Sequence, residues 1–372
     1  MLPWFMQGSC SPVGVCRKRS DDIRKLMLEA TGIKPVITDN KACLVLYSGG
    51  LDSILACRVI QEQGVRVTAV QFITPFFGGS LKGREGNHVR AVFEKYGITL
   101  EVVDISDEYL KMLKKPPHGY GKYMNPCIDC KILMIRNAVR LLNRFGASFI
   151  ATGEVLGQRP MSQRRDALGV IERDSGANGL LVRPLSALHF SATDAERAGL
   201  IDRRRLLSIA GRGRKEQIAL AERYGIEGYP APAGGCVLAD PIISRRLKRL
   251  FRLYPAMDAG DCVLARVGRH FILPDNSWLV VGRNQRENTR ILSMWRENDR
   301  VLELDGGPGP SVLWRYVSKP LEAMNLAAGI LCRYARLKEE PGRVRFSGFK
   351  SEEDVIIETM SVGQEIVEEY RI

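Results

Sequence analysis

Apolar and polar residues in the first half of the chain follow two alternating patterns. Short continuous apolar runs, such as 42–47, are typical of strands buried on both faces of a parallel sheet. Segments with apolar residues three and four positions apart are typical of amphipathic helices. The strands are predicted at 42–47, 65–73, 99–105 and 148–152, and the helices at 52–63, 90–96 and 130–145. This alternation predicts an α/β fold with a doubly wound parallel sheet.

The pattern changes after residue 257. Short alternating runs separated by turn residues, with a helix near 321–331, predict a smaller C-terminal α+β domain. The Gly- and Pro-rich stretch 225–235 is predicted to be a loop. We expect four parts: an N-terminal extension at 1–40 with a helix at 21–30, a domain at 41–257, a domain at 258–350 and an acidic tail at 351–372. Whether that tail is an edge strand or disordered stays open.

Composition and apolar run lengths narrow the class of protein. With 372 residues, 45% hydrophobic and 26% charged, the chain fits an ordinary globular protein with a full α/β core. No run approaches the roughly 18–20 apolar residues that a membrane helix needs. The first residues lack the apolar core of a signal peptide, so we expect a cytoplasmic protein that does not bind a membrane.

The net charge of +13 is unevenly distributed. The basic excess lies in residues 1–257, whereas residues 258–372 are slightly acidic. A polyanion partner such as RNA and a solvated cationic surface both explain this excess, and charge alone does not separate them.

A buried strand, the sequence SGGLDS and a helix together predict a phosphate site at Ser48–Ser53. Gly49 and Gly50 allow close backbone approach to phosphate oxygens, and their N–H groups precede a helix N-terminus. The hydroxyl groups of Ser48 and Ser53 add donors. An acidic residue such as Asp52 is unexpected in a loop that only binds anions, but it is explained if it orients Mg²⁺ on a triphosphate. This loop lacks the Gly-Lys-Ser/Thr of a Walker motif and resembles the PP-loop ATP pyrophosphatase superfamily, which implies cleavage of ATP between its α and β phosphates.

Three of the nine cysteines form the candidate sulfur site. Cys127 and Cys130 lie one turn apart at a predicted helix start, which favours thiolate. A CxxC is compatible with a zinc half-site, a redox pair or half of an iron–sulfur site. Cys236 follows two glycines in a loop. Three thiolates suit a cluster with one open iron, and they also suit a thiol relay with one persulfide.

Three further segments extend the resemblance. The segment 151–158, ATGEVLGQ, is followed by MSQ at 161–163 and LVRPL at 181–185. Together with the CxxC and the SGGxDS loop, in this order, they resemble the catalytic domain of the tRNA 4-thiouridine synthases over about 42–251. The resemblance implies that Thr152, Gly153 and Gln158 border the nucleotide and the target base.

The related cluster-dependent tRNA thiolases also pair a CxxC with one later cysteine. That similarity implies that Cys127, Cys130 and Cys236 are catalytic together with Asp52, and that the three thiols are ligands of a 4Fe–4S cluster. The implied cofactors are ATP, Mg²⁺ and this cluster, and the implied partner is tRNA. No rhodanese-like domain is visible, so the sulfur donor is expected to be free sulfide or a cysteine desulfurase. A homodimer is compatible with the sequence.

The C-terminal part shows a second resemblance. The stretch 278–288, WLVVGRNQREN, with GPGP at 307–310, resembles the RNA-binding domain of ribosome quality-control proteins. Its Gly-Arg-Asn-Gln-Arg cluster is suited to phosphates and base edges. A purely structural β module is the alternative, and the slightly acidic charge of this part favours it.

These features predict an ATP-dependent enzyme that adenylates a uridine carbonyl of tRNA and replaces the oxygen with sulfur. One alternative is an amide- or nitrile-forming ligase of the same superfamily that acts on a small molecule. It would need an ammonia source and leaves the three cysteines unexplained. The other alternative is a non-catalytic RNA-binding protein, against which the intact Ser48, Asp52 and Ser53 argue.

Overall fold

The first half of the chain folds around a five-stranded parallel sheet. The computed structural model describes residues 41–232, 234–317, 320–337, 340–348 and 354–372. The strands are β1 Ala42–Leu46, β2 Arg66–Ile73, β3 Thr99–Asp104, β4 Phe149–Thr152 and β5 Leu181–Val182. Their order is β3-β2-β1-β4-β5, and all neighbours are parallel. The predicted α/β fold class with a doubly wound parallel sheet is confirmed.

Helices connect these strands, as the apolar spacing predicts. They are α1 Leu51–Gln61, α2 Glu85–Tyr96, α3 Ser106–Lys114, α4 Cys127–Phe145, α5 Arg165–Ser175, α6 Asp194–Arg197, α7 Lys215–Arg223 and α8 Pro241–Leu253. Two of them begin earlier than predicted, because α2 starts at Glu85 and α4 at Cys127. The helix predicted at 21–30 lies outside the described residues.

β1 lies at the point where the strand order reverses. It pairs with β2 on one side and with β4 on the other, so that Val45 is opposite both Ala69 and Ala151. Connections from neighbouring strands therefore diverge at the carboxyl end of β1, and the resulting crevice is where open α/β sheets bind ligands. The SGGLDS loop starts at this end.

The C-terminal part contains an antiparallel sheet of six strands in the order β11-β10-β8-β9-β7-β6. The elements are α9 Ala259–Leu264, β6 Arg269–Ile272, β7 Trp278–Val281, α10 Gln285–Leu292, β8 Arg300–Leu304, β9 Val312–Arg315, α11 Pro320–Tyr334, β10 Gly342–Ser347, β11 Val355–Thr359 and α12 Gln364–Tyr370. The smaller α+β unit predicted from the alternating runs is present.

Residues 354–372 pack onto the antiparallel sheet. Strand β11 pairs antiparallel with β10 as the sheet edge, and Val367 of α12 is fully buried in the core of this sheet. Val355 and Ile357 pack inward and alternate with the exposed Asp354, Ile356 and Glu358, so residues 355–359 form an edge strand, which was one of the two alternatives.

The two sheets share part of one hydrophobic core. Leu44 and Ile135 of the first unit belong to the same buried cluster as Trp278 and Leu313 of the second. The boundary at residue 257 therefore stays a prediction, since apolar packing crosses it. Within the described ranges, no helix is both long and apolar enough to span a bilayer.

Candidate active site

The loop between β1 and α1 is a tight turn closed by its own serines. Ser53 Oγ donates a hydrogen bond to the carbonyl of Gly50 at 2.7 Å and accepts one from the backbone N–H of Ser48 at 3.2 Å. Gly49 has a left-handed φ of 78°, which a residue without a side chain adopts at little cost. The first amides of α1 lack helical partners and face the same space, so the turn is built to receive an anion.

Asp52 is half-buried beside this turn and faces polar groups from distant segments. Burial raises the pKa of its carboxyl, whereas a hydrogen bond from Gln158 and the charges of Arg214 and Arg159 lower it. The predicted residues Asp52 and Gln158 are therefore neighbours. Gln217 also lies within hydrogen-bonding reach of the carboxylate.

Several polar atoms around Asp52 are buried without a hydrogen-bond partner. They are Oδ1 of Asp52, Nε of Arg214 and both amide atoms of Gln217, which is fully buried. Such atoms are rare in folded proteins and call for a bound water, ion or ligand. An ionised carboxylate oxygen of this kind fits Mg²⁺, and the neighbouring donors fit a polar ligand such as a nucleotide.

Gly153 lies directly against the start of α1. A Cβ atom built on it would lie 2.4 Å from the carbonyl oxygen of Asp52 and 2.7 Å from the backbone nitrogen of Ser53. Only glycine fits, and the end of β4 can therefore touch the phosphate loop. Thr152 is buried and donates to Glu154 Oε2 at 3.2 Å, so its hydroxyl orients an acid rather than facing the loop.

Glu154 connects this loop to the cysteine helix. Its carboxylate lies 3.4 Å from Lys131 Nζ on α4 and 3.3 Å from Arg183 Nε, and Arg183 also binds Glu172 at 2.8 Å. Burial raises the pKa of Glu154, but Lys131 and Arg183 lower it more, so the net pKa is below its usual range. The ion pair fixes the start of α4 relative to the end of β4.

The three predicted cysteines lie around one buried tyrosine. Tyr109 of α3 is hydrogen-bonded to Cys130 and lies within electrostatic range of Cys127 and Cys236. The backbone N–H of Met124 donates to the carbonyl of Leu238 at 3.1 Å, which joins the segment before α4 to the segment after Cys236. The three thiols therefore lie within electrostatic range of the same tyrosine, and none of them forms a disulfide.

The thiol pKa values correct one expectation. Burial raises the pKa of Cys130 to about 12, and burial also raises that of Cys236. The predicted preference for thiolate at a helix start is wrong for Cys130, because loss of hydration outweighs the effects of the helix end and of Lys131. Among the described residues, no three Cys, His or acidic side chains are arranged as a metal-binding group.

The cluster of polar residues at 282–288 is only partly free for a ligand. Asn284 caps α10 by accepting from the backbone N–H of Glu287 at 3.0 Å, and Arg283 pairs with Glu287 at 2.5 Å. Arg286 and Arg290 are exposed and form no ion pair within the described part of the chain. They are the residues of this segment that are suited to phosphate contacts.

Sequence reasoning missed four residues of the site. Arg214 and Gln217 come from the start of α7, more than 150 positions after the phosphate loop. Tyr109 comes from α3. Arg266, between α9 and β6, donates to the carbonyl of Pro75 and lies close enough to Cys236 to lower its thiol pKa. The signal in the sequence that bears on Arg214 is the basic run 212–215.

Two segments of the chain match family models. Residues 38–192 match the family described as thiamine biosynthesis protein (ThiI), and residues 268–371 match the NFACT protein RNA binding domain. Both resemblances predicted from the motifs are confirmed. The chain thus contains a segment similar to ThiI, followed by a segment similar to the NFACT RNA binding domain.

Curated relatives match over part of their length. The chain is 34% identical over 121 residues to a tRNA-specific 2-thiouridylase MnmA of Syntrophotalea carbinolica, covering 31% of this chain and 34% of that protein. It is 28% identical over 166 residues to a probable tRNA sulfurtransferase of Thermococcus kodakarensis, covering 43% and 41%. The chain therefore spans about a third to two fifths of these relatives.

Solved structures with a similar arrangement are more distant. A 4-thiouridine synthetase–RNA complex with bound ATP superposes with a TM-score of 0.33 at 22% identity, covering 60% of this chain and 53% of that one. The U34-tRNA thiolase NcsA of Methanococcus maripaludis, with its 4Fe–4S cluster, gives a TM-score of 0.30 at 17% identity, covering 66% and 78%.

Proposed function

We propose that this protein is an ATP-dependent tRNA sulfurtransferase that adenylates a uridine carbonyl and replaces its oxygen with sulfur. The observation that carries the proposal is a set of contacts from the phosphate loop to Cys130, whose thiol lies with those of Cys127 and Cys236 around Tyr109. Gly153 touches the loop, Glu154 follows it in the chain and binds Lys131, and Lys131 follows Cys130. The names of the curated relatives support the same reaction class.

The nucleotide half of the site holds and orients ATP. The backbone of Gly49 and Gly50, with the hydroxyl groups of Ser48 and Ser53, binds phosphate oxygens. Asp52, with its unpartnered Oδ1, holds Mg²⁺ on the triphosphate. Gly153 and Gln158 form the opposite wall, and Thr152 orients Glu154 behind it. Aligned donors offset the charge that develops on pyrophosphate as it leaves, and Mg²⁺, when held by Asp52, would add positive charge there.

The chemistry takes place in two displacements. The uridine carbonyl oxygen attacks the α-phosphorus of ATP, and pyrophosphate leaves. The resulting ester makes the former carbonyl oxygen a good leaving group. A sulfur atom delivered at the thiol site then forms a bond to the activated carbon, and AMP leaves with that oxygen. The target base must be unstacked to reach both halves of the site.

Cys127, Cys130 and Cys236 hold the sulfur. Three thiols are the donor chemistry of an iron–sulfur cluster with one open position, and such a cluster, when bound, would supply a coordination place for sulfide. They equally suit a persulfide on one thiol. Burial keeps Cys130 protonated at neutral pH, so loading with iron or sulfur must release its proton.

The decisive experiment changes each of the three cysteines to serine. We expect each variant to lose at least about 100-fold in thiolated tRNA, measured with ATP and radioactive sulfide, while ATP–pyrophosphate exchange in the presence of tRNA remains. Cys57→Ala is the matched control, because this thiol is buried in α1 and faces the core. Full thiolation by all three variants would refute the proposal.

Iron analysis separates the two sulfur carriers. Anaerobically purified protein with a 4Fe–4S cluster is brown and contains about three or four irons per chain, depending on loading. Each of the three serine variants should then lose iron, whereas Cys57→Ala should keep it. Colourless protein that thiolates tRNA with cysteine and a cysteine desulfurase, but not with sulfide alone, would assign the sulfur to a persulfide instead. After the outer sulfur has bonded to the base, a second of the three cysteines would attack the inner sulfur, form a disulfide and release the thiolated base.

A further inference from the structure

Tyr123 is an exposed aromatic residue with a strained backbone, four positions before Cys127. Its side chain is 46% exposed and its φ is 57°, in the left-handed region that bulky residues avoid. In the part of the chain that the structure describes, no ring stacks on it and no hydrogen bond holds its hydroxyl. Tyr316 is also left-handed, but it stacks on Tyr254 at 4.1 Å and donates to Asp261.

The strained conformation persists because the turn around Tyr123 is held from several directions. The backbone N–H of Gly121 donates to the carbonyl of Asn125 at 2.8 Å, and that of Asn125 donates to the carbonyl of Lys122 at 3.2 Å. Met124 is buried and pairs with Leu238. Strain that is kept in this way is a reason to look for a function of the residue.

The same contacts place Tyr123 between the two halves of the active site. Leu238, which binds its neighbour Met124, is two residues after Cys236. Gly121, on the other side of the turn, lies against Met161: a Cβ on this glycine would lie 2.2 Å from the methionine methyl carbon. Met161 belongs to the loop that carries Gln158, and Gln158 contacts Asp52.

The surroundings of the ring are cationic. Lys122 Nζ lies 5.7 Å from the centre of the Tyr123 ring, and Lys122 is exposed. The segment 115–126 contains two lysines and no acidic residue. An open aromatic face beside an ammonium group suits a planar base and its phosphate, which is how proteins bind single-stranded nucleic acid. A lipid or an apolar peptide would need a broader apolar surface.

We propose that Tyr123 and Lys122 form a binding site for an unpaired nucleobase, on which the base stacks beside the thiols. We call this binding site, formed by Tyr123 and Lys122, the platform. The identity of the RNA rests on the proposed function, but the platform itself does not. Tyr123 supplies the ring face and Lys122 supplies a cation to the adjoining phosphate. The rigid turn fixes the distance between the stacked base and the cysteines.

The test uses the full chain with Tyr123→Gly, Tyr123→Asn and Tyr123→Phe. Glycine and asparagine tolerate the left-handed backbone, so both variants should melt at or above the wild-type temperature although the ring is gone. Phenylalanine keeps the ring. Phe93→Ala is the matched control, since Phe93 is an exposed aromatic residue on α2.

The primary readout is binding of pentauridylate, followed by fluorescence titration. We expect Tyr123→Gly and Tyr123→Asn to weaken binding about tenfold, and Tyr123→Phe and Phe93→Ala to bind within about twofold of wild type. Binding of ATP in the absence of RNA should not change. Wild-type affinity in the glycine variant, no binding by the wild type, or equal loss in the phenylalanine variant would each overturn the platform.

A second readout separates this inference from the proposed function. With tRNA and sulfide, Tyr123→Gly should lower kcat/KM for thiolation about tenfold while Tyr123→Phe keeps it. If the wild type thiolates no RNA but the pentauridylate series follows the expected order, the sulfurtransferase proposal fails and the platform stands. If thiolation occurs but the variants do not follow the expected order of pentauridylate affinity, the platform fails and the sulfurtransferase proposal stands.

Discussion

Single residues in this site are constrained by what touches them. Gly153 faces backbone atoms of Asp52 and Ser53, which cannot move without displacing the start of α1. Gly169 lies in α5, and a Cβ atom added to it would have no neighbouring atom within 4 Å, so the same methyl group meets open space there. The two glycines therefore differ in function although they are chemically identical.

Replacing Gly153 with alanine should disrupt the nucleotide half of the site. The added methyl group must displace the phosphate loop, at a cost of about 1–3 kcal/mol in the free energy of unfolding. We expect ATP–pyrophosphate exchange to fall at least about tenfold. Gly169→Ala, measured in parallel by thermal denaturation, should be neutral or stabilising by up to about 1 kcal/mol, because alanine favours the helix. Equal behaviour of the two variants would contradict this account of Gly153.

At the scale of elements, the start of α4 is held by a histidine clamp. His118 Nδ1 lies 2.8 Å from Asp129 Oδ1, its Nε2 lies 3.0 Å from Asp174 Oδ2 of α5, and its backbone N–H donates to Asp129 at 2.9 Å. The hydrogen bond to Asp129, with a further contribution from Asp174, raises the pKa of His118. The clamp therefore ties α4 to α5 most strongly when the imidazole is charged.

The clamp predicts a pH-dependent contribution to stability. A raised histidine pKa in the folded state stabilises the protein below the unfolded value of about 6.5, and this stabilisation is lost as pH rises through the folded pKa. The difference in Tm between wild type and His118→Asn should therefore be larger at pH 6 than at pH 8.5, by about 2 °C. Thermal denaturation at both pH values measures it.

His88→Asn is a control for which we expect the opposite dependence of stability on pH. Burial lowers the pKa of His88, whose Nε2 lies 2.8 Å from Gln71 Oε1. A lowered pKa favours the neutral form in the folded state, so the advantage of wild type over this variant should grow as pH rises. If both variants gave the same pH trend, the assignment of charge to His118 would be wrong.

Local patterns predicted most elements, whereas long-range packing did not follow from them. The apolar run before Ser48 and the glycines after it identified the phosphate loop. The helix predicted at 130–145 is present but begins at Cys127. Tyr109 and Arg266 could not be found, because nothing in their local sequence shows that the fold brings them to Cys236. The thiol pKa of Cys130 was misjudged for the same reason, since burial is set by tertiary contacts.

On the scale of the whole molecule, α8 carries a stripe of positive charge. Arg245, Lys248, Arg249 and Arg252 recur at the spacing of one helix face, opposite the buried Leu247 and Leu250. None of the four forms a salt bridge within the ranges that the structure describes. Such a stripe matches the spacing and charge of a phosphate backbone.

Removing charge from this stripe should weaken RNA binding at low salt. Arg245→Gln with Arg252→Gln should reduce the slope of log affinity against log salt concentration by about 1 to 2, since each lost phosphate contact contributes about 0.7–0.9. Lys41→Gln with Arg66→Gln removes the same charge from the amino-end edge of the first sheet, where both residues are exposed. Filter binding of tRNA across a salt series measures both; identical slopes would exclude α8 from the RNA surface.

Arg266 places a positive charge from the C-terminal side of the molecule next to a cysteine of the candidate active site. Its guanidinium comes from the connection between α9 and β6, yet it lies beside Cys236 and binds the backbone after β2. A hybrid that received a foreign RNA-binding module at residue 258 would lose this cation, whereas one joined after residue 267 would keep it. Exchange of the C-terminal unit at that junction would therefore also remove a positive charge from beside the Cys236 thiol, unless the incoming unit supplied one of its own.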